Sequence, residues 1–234
     1  MPRILTVALL TILLYLSGST ASISGPVQPV LLRSITGLQW TTINPMNGHT
    51  SFDTHCTAGY INAKQHYWIT AAHCVVGITG QDDHGDAIIE ILPADYFLAG
   101  SPAIVVMVDV DNDIAIMQTI INDHGKQPLK LAKTQPIWTS RVSMVGYPFG
   151  QGPIYAEGYV SNPFFKFVNS PGWEHRAFML YNMAGCPGNS GSPVVNAKGE
   201  MVSLLQIGWG SGCAPIMGGT TLTTLRMIAG AYFG

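Results

Sequence analysis

The sequence predicts an all-β fold built as one barrel or two. Three observations carry this reading. Short β-branched runs recur along the chain and are separated by turn residues, and only residues 222–231 look helical. The 234 residues are 47% apolar and only 10% charged, with 26 glycines, which suits a turn-rich globule long enough to bury a substantial core. The same composition excludes a disordered chain, and a net charge of −2 supplies no basic patch for nucleic acid.

Taken in order, the chain opens with Arg3, an apolar run over 4–16 and the small residues Ser17, Gly18, Ser19, Thr20 and Ala21. This is the layout of a secretory signal over 1–21, cleaved after Ala21. An uncleaved anchor is the weaker reading, because the run is shorter than the ~20 residues that cross a bilayer. No cysteine follows it closely, which argues against a lipoprotein. Residues 22–50 are rich in Ser, Thr, Pro and Gly and read as a loosely structured arm. A first β unit is expected over 51–130, with strands at 67–70, 87–92 and 103–108. Residues 126–134, with Pro128 and the lysines Lys126, Lys130 and Lys133, suit a connector. A second β unit over 131–234 takes strands at 141–147, 156–160, 177–181, 193–196 and 201–207. Asn196-Ala197-Lys198-Gly199 forms a hairpin turn between the last two, and the terminal helix follows.

An export signal makes Cys56, Cys74, Cys186 and Cys213 readable as disulfides. Four cysteines allow three pairings, and spacing alone does not choose among them.

Two motifs carry chemistry. Thr70-Ala71-Ala72-His73-Cys74 places a histidine at the end of a β-rich run, and Gly188-Asn189-Ser190-Gly191-Ser192-Pro193 places a serine on a glycine-rich loop. Serine attacks well only when a base takes its proton, and the base works best when a carboxylate holds its ring. Asp113, in Asp111-Asn112-Asp113-Ile114-Ala115, precedes an apolar run that would fix its side chain, although Asp109 and Asp111 stand close by. Acyl transfer also needs two N–H groups aimed at one oxygen, and those of Gly188 and Ser190 are the candidates. A calcium loop over 109–120 is excluded, because Ile114 and Ile120 stand where glycine and glutamate are needed. An α/β-hydrolase elbow fails at Ser192, which replaces the second glycine, and no βαβ pattern surrounds it.

At these residues the chain resembles the trypsin/chymotrypsin-like serine peptidases, over roughly residues 52–225. Its serine motif, with Gly146-Tyr147-Pro148-Phe149-Gly150 and Glu157-Gly158-Tyr159-Val160-Ser161, looks most like the bacterial glutamyl-endopeptidase and high-temperature-requirement branches. The resemblance implies two six-stranded antiparallel β-barrels packed together, a short C-terminal helix, and a site in the cleft. It favours Asp113 over Asp111, since the family's aspartate is followed directly by Ile-Ala or a similar pair. It also pairs Cys56 with Cys74 and Cys186 with Cys213.

Digestive members of this family carry aspartate directly before the nucleophile, to pair with a new amino terminus. Here that position is Asn189, so activation by a buried ammonium is not expected, and Arg33-Ser34-Ile35-Thr36-Gly37 reads as the start of a strand. By resemblance Ala184 forms the base of the primary pocket, with Gly185 beside it and Gly210 and Gly219 as walls. Such a pocket would reject lysine and arginine and accept a medium or bulky apolar side chain. A glutamate preference would need a histidine near Gln206 or Ile207, and none is there.

The expected function is that of a stand-alone secreted or periplasmic serine endopeptidase acting on polypeptide. It would need no cofactor or metal, bind no nucleic acid, stay off the membrane after signal removal, and act as a monomer. The other readings are a catalytically silent homologue used as a binding module and an esterase on the same fold.

Overall fold

The computed structural model describes residues 27–43, 50–120, 125–168, 173–210 and 212–234. The signal-like segment over 1–21 lies outside the described residues. In chain order the elements are helix α1 (Val27–Ser34) and strands β1 (Ile35–Ile43), β2 (Thr50–Asn62), β3 (Tyr67–Thr70), β4 (Val76–Gln81), β5 (Ala87–Ile91), β6 (Tyr96–Leu98), β7 (Ser101–Asp109) and β8 (Ile114–Thr119). They continue with β9 (Arg141–Gly146), β10 (Ile154–Phe165), β11 (Phe178–Gly185), β12 (Pro193–Asn196), β13 (Met201–Trp209), β14 (Ala214–Thr220) and helix α2 (Leu222–Ala229).

A closed barrel leaves no unpaired strand edge, and this chain closes two of them. The first runs β1-β2-β3-β8-β7-β6 and the second β10-β11-β14-β13-β12-β9, while β4 and β5 form a separate two-stranded sheet. The fold is therefore two six-stranded antiparallel barrels with a short C-terminal helix.

One sequence expectation needs correction. Residues 27–43, read as part of a loose arm with a strand entry only at 33–37, form α1 and the first strand of the first barrel. The threonines and Trp40 that made this stretch look irregular are β-branched and aromatic residues that suit a pleated surface. Trp40 stacks on His55 of β2 with ring centroids 4.1 Å apart. Helix α1 buries Val27 and Leu31 in a cluster with Ile35, Leu129, Val145 and Val195, so it docks against the second barrel.

Each barrel has its own core. Leu38, Tyr60, Trp68, Leu98 and Met117 fill the first, and Met144, Val160, Tyr181, Val194 and Leu205 fill the second. A third cluster joins them: Ile61, Ile69, Ile114 and Ile116 from the first barrel meet Leu204 of the second and Leu225 of α2. Helix α2 begins where the Thr221 side chain accepts the Thr224 N–H, and it buries Leu222, Leu225 and Ala229 on one face. The connector before β9 is pinned rather than slack. Leu129 N–H donates to Tyr60 C=O at 2.8 Å, and Met201 N–H donates to Lys130 C=O at 2.7 Å. The Lys126 ammonium donates to Ile35 C=O at 2.6 Å, and burial lowers its pKa.

The β4–β5 sheet stands at the edge of the cleft. Its base is held by Tyr96, whose hydroxyl donates to Leu92 C=O at 3.0 Å and Val75 C=O at 3.2 Å. Burial pushes that phenol up to about 12, so it remains a donor at physiological pH.

Candidate active site

His73 sits on a single 3-10 turn, Ala72–Cys74, directly after β3. Its neighbour Cys74 is bonded to Cys56 of β2, which fixes the turn against the first barrel. The ring itself is exposed, and its Nδ1–H donates to Asp113 Oδ2 at 2.8 Å. The His73 backbone N–H donates to the other oxygen, Oδ1, also at 2.8 Å. Both contacts constrain one carboxylate, on a side chain only 9% exposed. That arrangement leaves Nε2 as the ring nitrogen facing away from the aspartate.

Asp113 enters β8 with φ 54, a left-handed conformation that Asp tolerates better than most residues. The turn before it is built from Asp109, whose carboxylate accepts the Asn112 N–H at 2.8 Å. Asp113 is therefore the aspartate brought to His73, whereas Asp109 caps the turn. Two residues that sequence reasoning did not single out complete the support. Gln206 of β13 donates from Nε2 to Asn112 C=O at 2.6 Å and Asp113 C=O at 2.7 Å. Arg176 donates to the carbonyls of Val110 and Asp111. The second barrel thus grips the turn that presents the aspartate of the first. No local pattern could have revealed this, since the partners lie 65 or more residues apart in the chain.

Ser190 is carried on a loop pressed against the segment that bears His73. Its carbonyl accepts the Thr57 N–H at 2.8 Å. A Cβ placed on the next residue, Gly191, would lie 2.2 Å from Thr57 O and 3.0 Å from Ala71 N, so only glycine fits this approach. Leu205 of β13 holds the other side, accepting the Gly191 N–H at 2.8 Å and donating to Ser192 C=O at 2.9 Å.

The peptide groups before Ser190 are each fixed through their carbonyls. Phe149 N–H donates to Pro187 C=O at 2.7 Å, the Thr57 hydroxyl donates to Gly188 C=O at 2.9 Å, and Ser192 N–H donates to Asn189 C=O at 3.0 Å. In a planar trans peptide the N–H points opposite to its carbonyl. Tying down the carbonyls of Pro187 and Asn189 therefore turns the N–H groups of Gly188 and Ser190 the other way, and neither has a backbone acceptor among the described residues. Gly188 has φ 97, and a Cβ there would lie 2.4 Å from Tyr147 O. Glycine is required at this position. Such a pair of N–H groups can stabilise an oxyanion.

Among the described residues one group could offer three metal ligands: Cys56, Cys74 and His73. Its two sulfurs are bonded to each other, so neither is a thiolate able to ligate.

A family model described as a trypsin-like peptidase domain matches residues 56–204. This span begins at Cys56 and contains His73, Asp113 and Ser190. The chain belongs to the trypsin-like peptidase family. It is a serine-type endopeptidase, and solved structures agree with the fold. The active form of the Rv3671c protease from M. tuberculosis is 18% identical, with a TM-score of 0.65 over 91% of this chain and 86% of that one. The inactive form of that protease is 16% identical, with a TM-score of 0.63 over 92% and 96%. The HtrA-type protease AlgW, solved with a tripeptide, is 20% identical with a TM-score of 0.61, and the match covers 88% of this chain and 62% of AlgW.

In this trypsin-like peptidase the second disulfide, Cys186–Cys213, ties the loop before Ser190 to the segment between β13 and β14. The residues expected to form the primary pocket do not all meet there. Gly219 pairs with Met179 and Leu205, and a Cβ on it would lie 2.2 Å from Leu204 O, so it packs against β13. Gly210 lies at the end of β13, nearest Ala214. The glycine that shares a neighbour with Gly185 is Gly208, and the neighbour is Met217. Ala184 is exposed and Gly185 buried at the end of β11. Closer to His73, a cavity of about 460 Å³ is lined by Val76, Ile78, Ile89, Trp173 and Ile207 together with the histidine. Beside it, Phe167 stacks on Trp209 at 5.3 Å, extending an apolar shelf along the cleft.

Proposed function

We propose that the protein is a secreted serine endopeptidase in which Ser190 is the nucleophile, His73 the general base and Asp113 the group that orients it. The observation that carries this reading is the paired contact of Asp113 with both the Nδ1–H and the backbone N–H of His73. Because Nδ1–H is committed to the carboxylate, Nε2 is the nitrogen free to accept a proton.

The Ser190 hydroxyl attacks the substrate carbonyl carbon as its proton passes to Nε2. The carbonyl oxygen, now negative, receives the N–H groups of Gly188 and Ser190. Collapse breaks the C–N bond, the His73 proton leaves with the amine, and an acyl ester remains on Ser190. Water repeats the sequence, giving its proton to Nε2 and releasing the acid. No metal or cofactor is required for any step.

The substrate is a polypeptide lying along the cleft between the barrels, and the protein acts as a monomer. Two disulfides and the signal-like segment at 1–21 support export to an oxidising compartment, after cleavage following Ala21. No helix among the described residues is long and apolar enough to cross a membrane.

A fluorophosphonate probe tests the assignment. Labelling of the folded protein that disappears in Ser190→Ala, together with casein cleavage, supports the enzyme. Absence of labelling in folded protein would favour the binding-module reading, and labelling without casein cleavage would favour an esterase.

A further inference from the structure

We propose that Met217 occupies the primary specificity slot and restricts this peptidase to cleavage after small residues: glycine, alanine or serine. This rests on Ser190 being the nucleophile.

The placement of the slot follows from what surrounds Ser190. With the acyl carbon on Ser190 and its oxygen on the N–H groups of Gly188 and Ser190, the acyl residue's side chain points between two segments. One is Ala184 to Pro187, directly before the loop. The other is the part of β13 beyond Leu205, which is hydrogen-bonded to Gly191 and Ser192. Strand β14 lies between these segments and sets their separation. Gly185 pairs with Ala214, Gly208 pairs with Met217, and Cys186–Cys213 ties the ends together.

Neither Gly185 nor Gly208 carries a side chain, so the walls by themselves would leave a deep slot. Met217 fills it. A Cβ on Gly185 would lie 2.6 Å from Met217 Cε and 2.8 Å from its Sδ. A Cβ on Gly208 would lie 3.0 Å from the same Sδ and 3.1 Å from Ala214 Cβ. One thioether therefore lies against the backbone of both walls, and Met217 is only 5% exposed. The methionine tip takes the space of a Cβ at Gly185 and crowds one at Gly208, so a larger residue at either position would have to displace it.

A substrate side chain entering here meets the Met217 tip. A hydrogen, methyl or hydroxymethyl group can share the slot with it, whereas leucine or phenylalanine must drive it out. Methionine has three rotatable bonds and yields more readily than a branched residue. Discrimination should therefore appear as a graded preference rather than complete exclusion. One methylene in an apolar pocket changes kcat/KM by about 10–200-fold.

The test is a library of peptides varied only at the residue before the scissile bond, run on the disulfide-intact protein. The wild type should cleave after Ala at least about 10-fold faster, in kcat/KM, than after Leu or Phe. Met217→Ala should reverse or erase that ratio through the large substrates. Met217→Leu, which keeps the volume and so protects the core, should preserve it. The wild-type profile needs no variant to fold, and equal or faster cleavage after Phe or Leu would overturn the inference. Fluorophosphonate labelling, which needs no side chain in the slot, is measured alongside. Labelled protein that prefers large residues would overturn the slot alone, while absence of labelling would overturn it together with the assignment of Ser190.

Discussion

The Thr57 hydroxyl accepts the Tyr147 N–H at 3.0 Å and donates to Gly188 C=O at 2.9 Å. A residue of the first barrel thus fixes a peptide group beside the nucleophile loop of the second. The Phe149 contact to Pro187 turns the Gly188 N–H, and the Thr57 contact fixes the next peptide group, so that two successive peptides of the loop are held. Thr57→Val keeps the shape but removes both hydrogen bonds. We expect kcat to fall by about 10-fold or more, short of the 10²–10³ seen when an oxyanion donor itself is lost. KM should change little, since the loop matters most when charge develops. Ester hydrolysis kinetics with circular dichroism as a folding control would check this; an unchanged kcat would mean that the loop holds itself.

If Asp113 holds the ring, Asp113→Asn should leave the fold nearly intact and lower kcat at neutral pH by about 10⁴. Asp111→Asn is the control. Among the described residues the hydrogen bonds to Asp111 from Arg176 and His175 go to its backbone carbonyl, and that group survives the substitution. A similar loss in both variants would show that the turn as a whole, rather than the Asp113 carboxylate, is what matters.

The sequence made the strands and the motifs legible for one reason: each is a contiguous pattern, whereas the pair of barrels came from the family resemblance. Short strands such as Tyr67–Thr70 announce themselves by β-branched and aromatic residues, and the turn at 196–199 by its Asn and Gly. What stayed hidden depends on register or on distant partners. The start of strand β1 was read near Ile35, but its extent to Ile43 was obscured because threonine serves strands and loops alike. The slot around Met217 was hidden by a bulge: the pairing of β13 with β14 slips between Leu205 and Ile207, which sets Gly208 rather than Ile207 opposite Met217. A one-residue irregularity moves every later side chain to another neighbour, and one sequence does not mark where it falls. Gln206 and Arg176 were invisible for a different reason, since each acts on a turn far away in the chain.

Removing the Cys186–Cys213 bridge should have two separable effects. It closes a loop of sequence separation 27, so chain entropy alone predicts a loss of about 3.5 kcal/mol in stability. It also ties together the segments that flank Gly185 and Gly208. A Cys186→Ser/Cys213→Ser double variant should therefore melt several degrees lower and show a broader substrate profile even where it remains folded. A variant with a lower Tm and an unchanged profile would confine the bridge to stability.

Asn189 supports a last expectation. It is 5% exposed, and its Oδ1 has no hydrogen-bond partner among the described residues. A Cβ on Gly146 would lie 2.5 Å from that oxygen, so the space around it is closely packed. An aspartate here would bury a carboxylate with no cation supplied, and burial disfavours its charged form. Its pKa in the folded protein would rise above the unfolded value of ~3.9. Folding then favours the protonated acid. Asn189→Asp should match the wild type in stability below about pH 4 and lose ground as the pH rises above that value. Thermal melts of both proteins across pH 3–8 would show the difference in Tm widening with pH. The same reasoning predicts that protein beginning at Ser22 is active without cleavage near Arg33. Ile35, just beyond that point, is fully buried at the start of β1, and a neutral Asn189 gives a freed ammonium nothing to pair with. Activity that appears only after a cut near Arg33, or an Asn189→Asp protein as stable as wild type at pH 8, would show that this loop is held by a charge after all.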